Sequence, residues 1–203
     1  MTAIVDYGVG NLFSLRSSLA AIGEEAEVTG DARRIAAAER VILPGVGAFA
    51  DARRKLAETG MDDAVLTAAN SGKPLLGICL GMQLLFERSH EYGEHAGLAL
   101  LRGEVVGMAG RIPPELPIPH IGWNALDIRR PGGILKYVKS GDCVYFVHSY
   151  CAEGCEESLT ATAEYGLPVT ASVSLGNVHG CQFHPEKSGR VGLSILRAFC
   201  ELR

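Results

Sequence analysis

The chain has 203 residues, 47% hydrophobic and 21% charged, with 19 Lys and Arg against 23 Asp and Glu and a formal net charge of −4. That length suits a single domain, residues 1–203, with a sizeable core, and mild acidity without a basic run argues against a nucleic-acid-binding surface. No stretch reaches the roughly 18 apolar residues of a membrane span, and MTAIVDYGVGN lacks the basic start and apolar run of a secretory signal, so a cytoplasmic location is expected.

TAIVDYG reads as a short β-branched strand ending in turn residues. NLFSLRSSLAAIG follows with Leu12, Leu15, Leu19 and Ile22 at helical spacing, closed by Gly23. AEVTG is a second strand. DARRIAAAE is a helix with Asp31 at the N-cap, and RVILPG is a third strand. AFADARRKLAETG and MDDAVLTAANSG are helices, each ended by glycine. PLLGIC is a buried strand, and LGMQLLFER after it reads as a helix with Leu80, Leu84 and Leu85 on one face. Strand–helix alternation of this kind predicts βαβ units and a largely parallel sheet.

Beyond about residue 97 the texture changes. EVVGM, NALDI, GILKYV, DCVYFVHSY, SLTATAEYG, VTASVSLG and NVHGCQFH read as strands, part of them antiparallel. GRIPPELPIPH is too proline-rich for a helix and reads as a loop. SGRVGLSILRAFCELR is an amphipathic helix expected to cover one face.

Six cysteines without a secretory signal are expected to be free thiols. Cys151 and Cys155 are four apart with no second pair to complete a zinc site, so no metal is expected. Cys79 is different, because it sits at the strand-to-helix joint in Gly77-Ile78-Cys79-Leu80-Gly81. A G-x-nucleophile-x-G corner lifts the nucleophile out of the sheet, and its glycines avoid collision with neighbouring strands. The following helix N-terminus favours thiolate, and the Leu80 N–H faces a forming oxyanion. The alternative is a small buried cysteine with no chemistry.

A thiolate that attacks an amide needs a proton shuttle. His90 and His95 lie in a polar loop, and His179 has no evident partner. His184, in CQFHPEKS, precedes a proline that favours extended backbone. His184 and Glu186 then share a face, as the base and its orienting acid do in a triad. The alternative is a surface His-Pro-Glu turn. PGVGAF, residues 44–49, follows a parallel strand at the edge where α/β proteins bind ligands. Its bare peptides offer a second oxyanion donor, although four residues of this kind also make an ordinary βα turn. DYGVGN lacks the third glycine of a dinucleotide fingerprint.

Together and in this order, PGVGAF, GICLGMQLLF and QFHPEKS resemble the class I (triad) glutamine amidotransferases. PGVGAF, PHIGWN (119–124), YFVHSY (145–150) and HPEKS look most like the branch of that family that serves histidine biosynthesis. The resemblance implies an α/β fold of three layers around a mixed, mostly parallel sheet. It also implies a Cys79, His184 and Glu186 triad acting on glutamine, with oxyanion donors at Leu80 and in the Val46-Gly47 turn. Gly47, Gln83, Ser149 and Tyr150 match glutamine-binding positions, and Glu91 matches a partner for the substrate ammonium. Ammonia would pass to a TIM-barrel cyclase partner, with Asn11, Trp123, Asn124, Tyr145 and Lys187 at or near the contact. Trp123, the only tryptophan, has a core position as its alternative. The resemblance calls for no cofactor. Rival readings are the glutaminase of anthranilate or aminodeoxychorismate synthesis, against which PGVG and HIGWN argue, and an inactive scaffold module, against which the intact triad argues.

Overall fold

The computed structural model describes residues 1–202. Its first half alternates β1 (Thr2–Val5), α1 (Leu12–Ala21), β2 (Ala26–Thr29), α2 (Ala32–Ala37), β3 (Arg40–Leu43), α3 (Phe49–Glu58), α4 (Met61–Asn70), β4 (Leu75–Ile78) and a single helical turn, α5 (Leu80–Gln83). The Asp31 carboxylate accepts the Arg33 N–H and so caps α2, as its position before an apolar run predicts. The second half supplies β5 (Arg88–Ser89), β6 (His95–Ala96), β7 (Glu104–Gly107), β8 (His120–Ile128), β9 (Cys143–His148), β10 (Tyr150–Glu153), β11 (Leu159–Glu164), β12 (Pro168–Leu175) and β13 (Val178–Cys181). The amphipathic helix α6 (Gly189–Cys200) follows.

Nine of these strands form one sheet in the order β2-β1-β3-β4-β13-β12-β11-β8-β9. Pairing is parallel from β2 through β13 and antiparallel from β13 to β9. A smaller sheet, β10-β7-β5-β6, stands beside it. The parallel strands are buried on both faces because alternate residues serve opposite cores. Ala3, Val5, Val41, Leu43 and Leu75 pack under α2, α3 and α4. Ile4, Ile42, Leu76 and Ile78 pack against Leu15 and Leu19 of α1 and Ile195, Leu196 and Phe199 of α6. Each such side chain contributes about 1.5–3 kcal/mol on burial, and the result is three layers. Among the described residues no helix is long and apolar enough to cross a membrane, and all six cysteines are free.

Two elements differ from the sequence reading. GILKYV is not a strand. Gly133–Leu135 form a 3-10 turn entered through Gly132 and Gly133, both at positive φ, and Ile134 and Leu135 are buried consecutively against α6. LGMQLLFER is not a continuous helix. α5 ends at Gln83, and Leu84, Leu85 and Phe86 are all fully buried. Three successive buried residues exceed one helix face, so the chain leaves the helix and wraps. Its freed carbonyls are taken by the N–H groups of Leu98, Ala99, Leu100 and Leu101.

The β4–α5 corner is set by backbone touching backbone. A Cβ at Gly77 would lie 2.7 Å from the Gly81 carbonyl oxygen, and one at Gly45 would lie 2.7 Å from the Gly81 nitrogen. A Cβ at Gly81 would fall inside the Leu43 carbonyl. Gly81→Ala is therefore expected to lower the melting temperature far more than Gly60→Ala. Gly60 is a left-handed helix start with open space around its Cα, so alanine there meets conformational strain alone. Thermal unfolding followed by circular dichroism compares them.

His120, His148 and His179 are held neutral by burial, each at about 4 against an ordinary 6.5. The unfolded chain takes up these protons first, so their stabilisation is present above pH 6.5 and is lost as pH falls toward 4. The urea midpoint is expected to drop steeply over that interval. His179→Asn, which can keep the hydrogen bond His179 Nδ1 shares with Ser174 Oγ at 2.6 Å, is expected to flatten the drop.

Candidate active site

Cys79 stands at the end of β4 with φ 53 and ψ −112, a conformation non-glycine residues rarely adopt. Its N–H still completes the ladder with the Cys181 carbonyl at 2.8 Å, and its carbonyl already accepts the Gln83 N–H of α5 at 3.1 Å. Sheet and helix thus both hold this one residue, and the strained corner turns its thiol into a cavity of about 560 Å³. Because α5 is a single turn, what it offers the sulfur is local N–H groups at its start rather than the dipole of a long helix.

His184 lies just past β13, and its backbone N–H donates to the Tyr145 carbonyl at 2.9 Å. Its Nδ1 meets Glu186 Oε1 at 2.8 Å, which leaves Nε2 for the Cys79 side. The route to this pairing differs from the i, i+2 strand geometry expected. His184 is extended, but Glu186 belongs to a 3-10 turn, Pro185–Lys187. Ser188 locks the turn by donating its hydroxyl to the His184 carbonyl at 2.7 Å and accepting the Tyr145 N–H at 3.0 Å. Burial, the largest single influence on His184, pulls its pKa down. Interactions with Cys79 and Glu186 outweigh burial, and the imidazole is pushed up to about 9. Both side chains of this pair are buried, His184 to 3% and Glu186 to 4% exposure.

Val46, Gly47, Leu80, Gln83, Glu91, Ser149, Tyr150 and Lys187 line the same cavity as Cys79 and His184. The PGVG turn is pinned from behind by Tyr7, whose hydroxyl donates to the Pro44 carbonyl at 2.7 Å. Gly47 adopts φ +96, which a side chain would strain. Glu91 accepts the Phe49 N–H at 2.6 Å, so its carboxylate also holds the start of α3. Gln83 donates to the Tyr150 carbonyl at 3.1 Å, and His148 Nδ1 donates to the same carbonyl at 2.8 Å. Glu186 does not line the large cavity. It borders a pocket of about 10 Å³ behind His184, together with Asn11.

The residues expected at a partner contact divide. Trp123 is 58% exposed, which removes the core alternative. Its ring meets Tyr145 edge-on at 6.2 Å across the β8–β9 pair, and the Lys187 ammonium lies 5.8 Å from the centroid of the Tyr145 ring. Ile121, 57% exposed, stands two residues before Trp123 on the same strand face. Asn124 is not with them. It points to the other face, where its amide donates to the Glu164 carbonyl at 2.8 Å.

Sequence reasoning missed Tyr7, His120, His148, Gln182 and Ser188. For Gln182 the one signal was its place in the QFHPEKS stretch beside His184, since the chain bends at residues 182–183 and strand alternation does not hold there. The Gln182 Nε2 lies 3.6 Å from the Cys79 sulfur.

The description of the class-I glutamine amidotransferase family matches residues 3–201. The imidazole glycerol phosphate synthase subunit HisH of Caldanaerobacter subterraneus is 50% identical over all of this chain and 98% of its own length. The same subunit of Moorella thermoacetica is 50% identical over 98% of this chain and 94% of its own. Among solved structures, a glutamine amidotransferase aligns with a TM-score of 0.76 at 21% identity, covering 98% of this chain and 97% of that one. PurLQS from Thermotoga maritima aligns at 0.76 and 20%, covering 98% and 96%. These last two speak to fold, and the first three to ancestry: the chain belongs to the class-I glutamine amidotransferases, on the branch of the HisH subunits of imidazole glycerol phosphate synthase.

Proposed function

We propose that the chain hydrolyses L-glutamine to glutamate and hands the ammonia to a TIM-barrel cyclase subunit, in the cytoplasm, where imidazole glycerol phosphate and aminoimidazole carboxamide ribonucleotide are formed in histidine biosynthesis. The observation that carries this reading is the strained Cys79 corner opening into one cavity with a His184–Glu186 pair joined at 2.8 Å. Its chemistry follows from charge and geometry. The thiol proton passes to His184, which keeps it below about pH 9, and the sulfur attacks the side-chain amide carbon. Peptide N–H groups of Leu80 and the Val46-Gly47 turn stabilise the oxyanion. His184 then gives its proton to the departing nitrogen, the C–N bond breaks, and ammonia leaves. Water adds to the glutamyl thioester with His184 as base, and the C–S bond breaks to restore the thiol. Gln83, Ser149, Tyr150 and Gly47 hold the substrate, and Glu91 faces its ammonium. Trp123, Tyr145 and Lys187 supply the centre of the cyclase contact, with Asn11 at its margin. Asn124 acts there only through the strand it braces.

Cys79→Ala is expected to abolish glutamine-dependent cyclisation by the reconstituted complex while sparing cyclisation from ammonium salts, because ring closure belongs to the partner. Comparable glutamine use by the variant would end the nucleophile assignment.

His184 carries its proton below about pH 9 and loses it above, so kcat/KM for glutamine is expected to fall as pH rises through that value. Glu186→Gln removes one of the groups that raise the imidazole, so the falling limb should move to lower pH. Its activity loss should be smaller than that of His184→Ala, at least about a hundredfold. A glutaminase pH profile of both variants reads these outcomes.

Trp123→Ala should weaken cyclase binding by roughly 2 kcal/mol or more, as a central aromatic anchor does, while the subunit stays folded. Titration calorimetry against the purified cyclase measures it, and an unchanged affinity would move the contact elsewhere.

A further inference from the structure

We infer that Gln182 is a further catalytic residue, donating a side-chain N–H to the Cys79 sulfur. The assignment rests on the reading of Cys79 as nucleophile. Gln182 is fully buried, and its Nε2 lies 3.6 Å from Cys79 Sγ. Which end of its amide faces the sulfur is fixed by logic that begins at the Tyr150 carbonyl. A carbonyl only accepts, so the Gln83 group 3.1 Å from it is the NH₂. That same Nε2 stands 3.0 Å from Gln182, which must therefore present Oε1 to it. The Gln182 NH₂ is left toward Cys79. Swapping either amide would set two acceptors or two donors face to face inside a buried site.

Gln182 and His184 leave the end of β13 two residues apart through a bend at residues 182–183, and Gln182 Nε2 reaches the sulfur while His184 lines the same cavity. Their contributions differ in kind. His184 exchanges a proton with sulfur. Gln182 cannot, and its N–H favours whichever form of sulfur carries more negative charge. That form occurs twice in turnover: before attack on the amide, and again when the thioester C–S bond breaks and its electron pair returns to sulfur. The acyl sulfur between these stages is the weaker acceptor, so the contact favours the steps that matter rather than the resting thioester. The other ionisable groups around the sulfur are Tyr7 and Cys181, both kept protonated by burial, Glu186 behind His184, and Glu91, Tyr92, His148, Tyr150 and Lys187 on the walls of the same cavity.

The test uses the full chain and iodoacetamide, with alkylation of Cys79 followed by peptide mass spectrometry as pH is varied. Gln182→Met removes both the donor to Cys79 and the acceptor for Gln83 without adding charge and so carries the test, whereas Gln182→Glu keeps an acceptor but sets a carboxyl group beside the sulfur. In Gln182→Met, the half-rise of the alkylation profile is expected to move up by about one pH unit, a tenfold slowing on the rising limb, with the high-pH plateau retained. A space-filling role would instead raise KM for glutamine in Gln182→Met through a displaced Gln83 and leave the alkylation profile unmoved, and that result overturns the proposal. A measurement without substitution at 182 stands beside it. In the chain labelled with ¹⁵N-glutamine, one buried side-chain NH₂ should shift with pH and cease to do so once Cys79 is alkylated. Absence of such a signal also overturns the assignment. Glutamine turnover abolished by Cys79→Ala while both Gln182 tests fail marks a failed Gln182 assignment, whereas turnover that survives Cys79→Ala marks a failed triad.

Discussion

The structure depends on one steric constraint, the contact of the α5 backbone with the turn that follows β3. Gly81 lies against the Leu43 carbonyl and Gly45, and Gly77 lies against Gly81 and Met82. With no side chains between them, β4 can run straight into a helix and leave Cys79 at φ 53 on the crest. Strain of order 1–3 kcal/mol at such a residue persists only where its surroundings over-determine it. Here the β4–β13 ladder holds the Cys79 nitrogen and α5 holds its carbonyl.

The same contact fixes what surrounds the sulfur. β13 is the parallel neighbour of β4 in register, Cys181 opposite Ile78. The segment leaving β13 therefore arrives beside Cys79 and bends there, bringing Gln182 and His184 to the thiol. On the other side of β4, β3 leads into PGVG, so the turn and the α5 N–H groups border the same cavity. Another wall of the cavity comes from a different part of the sheet. The junction of β9 and β10 brings Ser149 and Tyr150, and the Tyr150 carbonyl receives both Gln83 and His148.

That wall is joined to the outer surface by a fixed line of neutral donors. Asn124 donates toward His120 Nε2 at 3.3 Å, His120 Nδ1 toward His148 Nε2 at 3.0 Å, and His148 Nδ1 to the Tyr150 carbonyl. Only one set of tautomers satisfies all three contacts. Burial keeps both rings neutral, so the line keeps its sense at neutral pH. Trp123 and Tyr145 stand on the opposite face of the same two strands. A partner seated there touches backbone that also carries His184 through the Tyr145 carbonyl.

Residue type and spacing alone determined the βαβ alternation, the Asp31 cap, the cysteine corner and the His-Pro-Glu pairing, because each is a local matter of periodicity, turn chemistry or backbone sterics. The two elements that sequence misplaced, GILKYV and the long helix after Cys79, are places where consecutive apolar residues are all buried. Periodicity cannot describe a segment that wraps around a core, and only the packing of α6 and of residues 98–101 decided its path. Tertiary structure alone also decided which amide faces the sulfur, that Glu91 holds the start of α3, and that Asn124 turns away from Trp123. Each depends on atoms far apart in the chain meeting within hydrogen-bond distance, and no local pattern encodes that meeting.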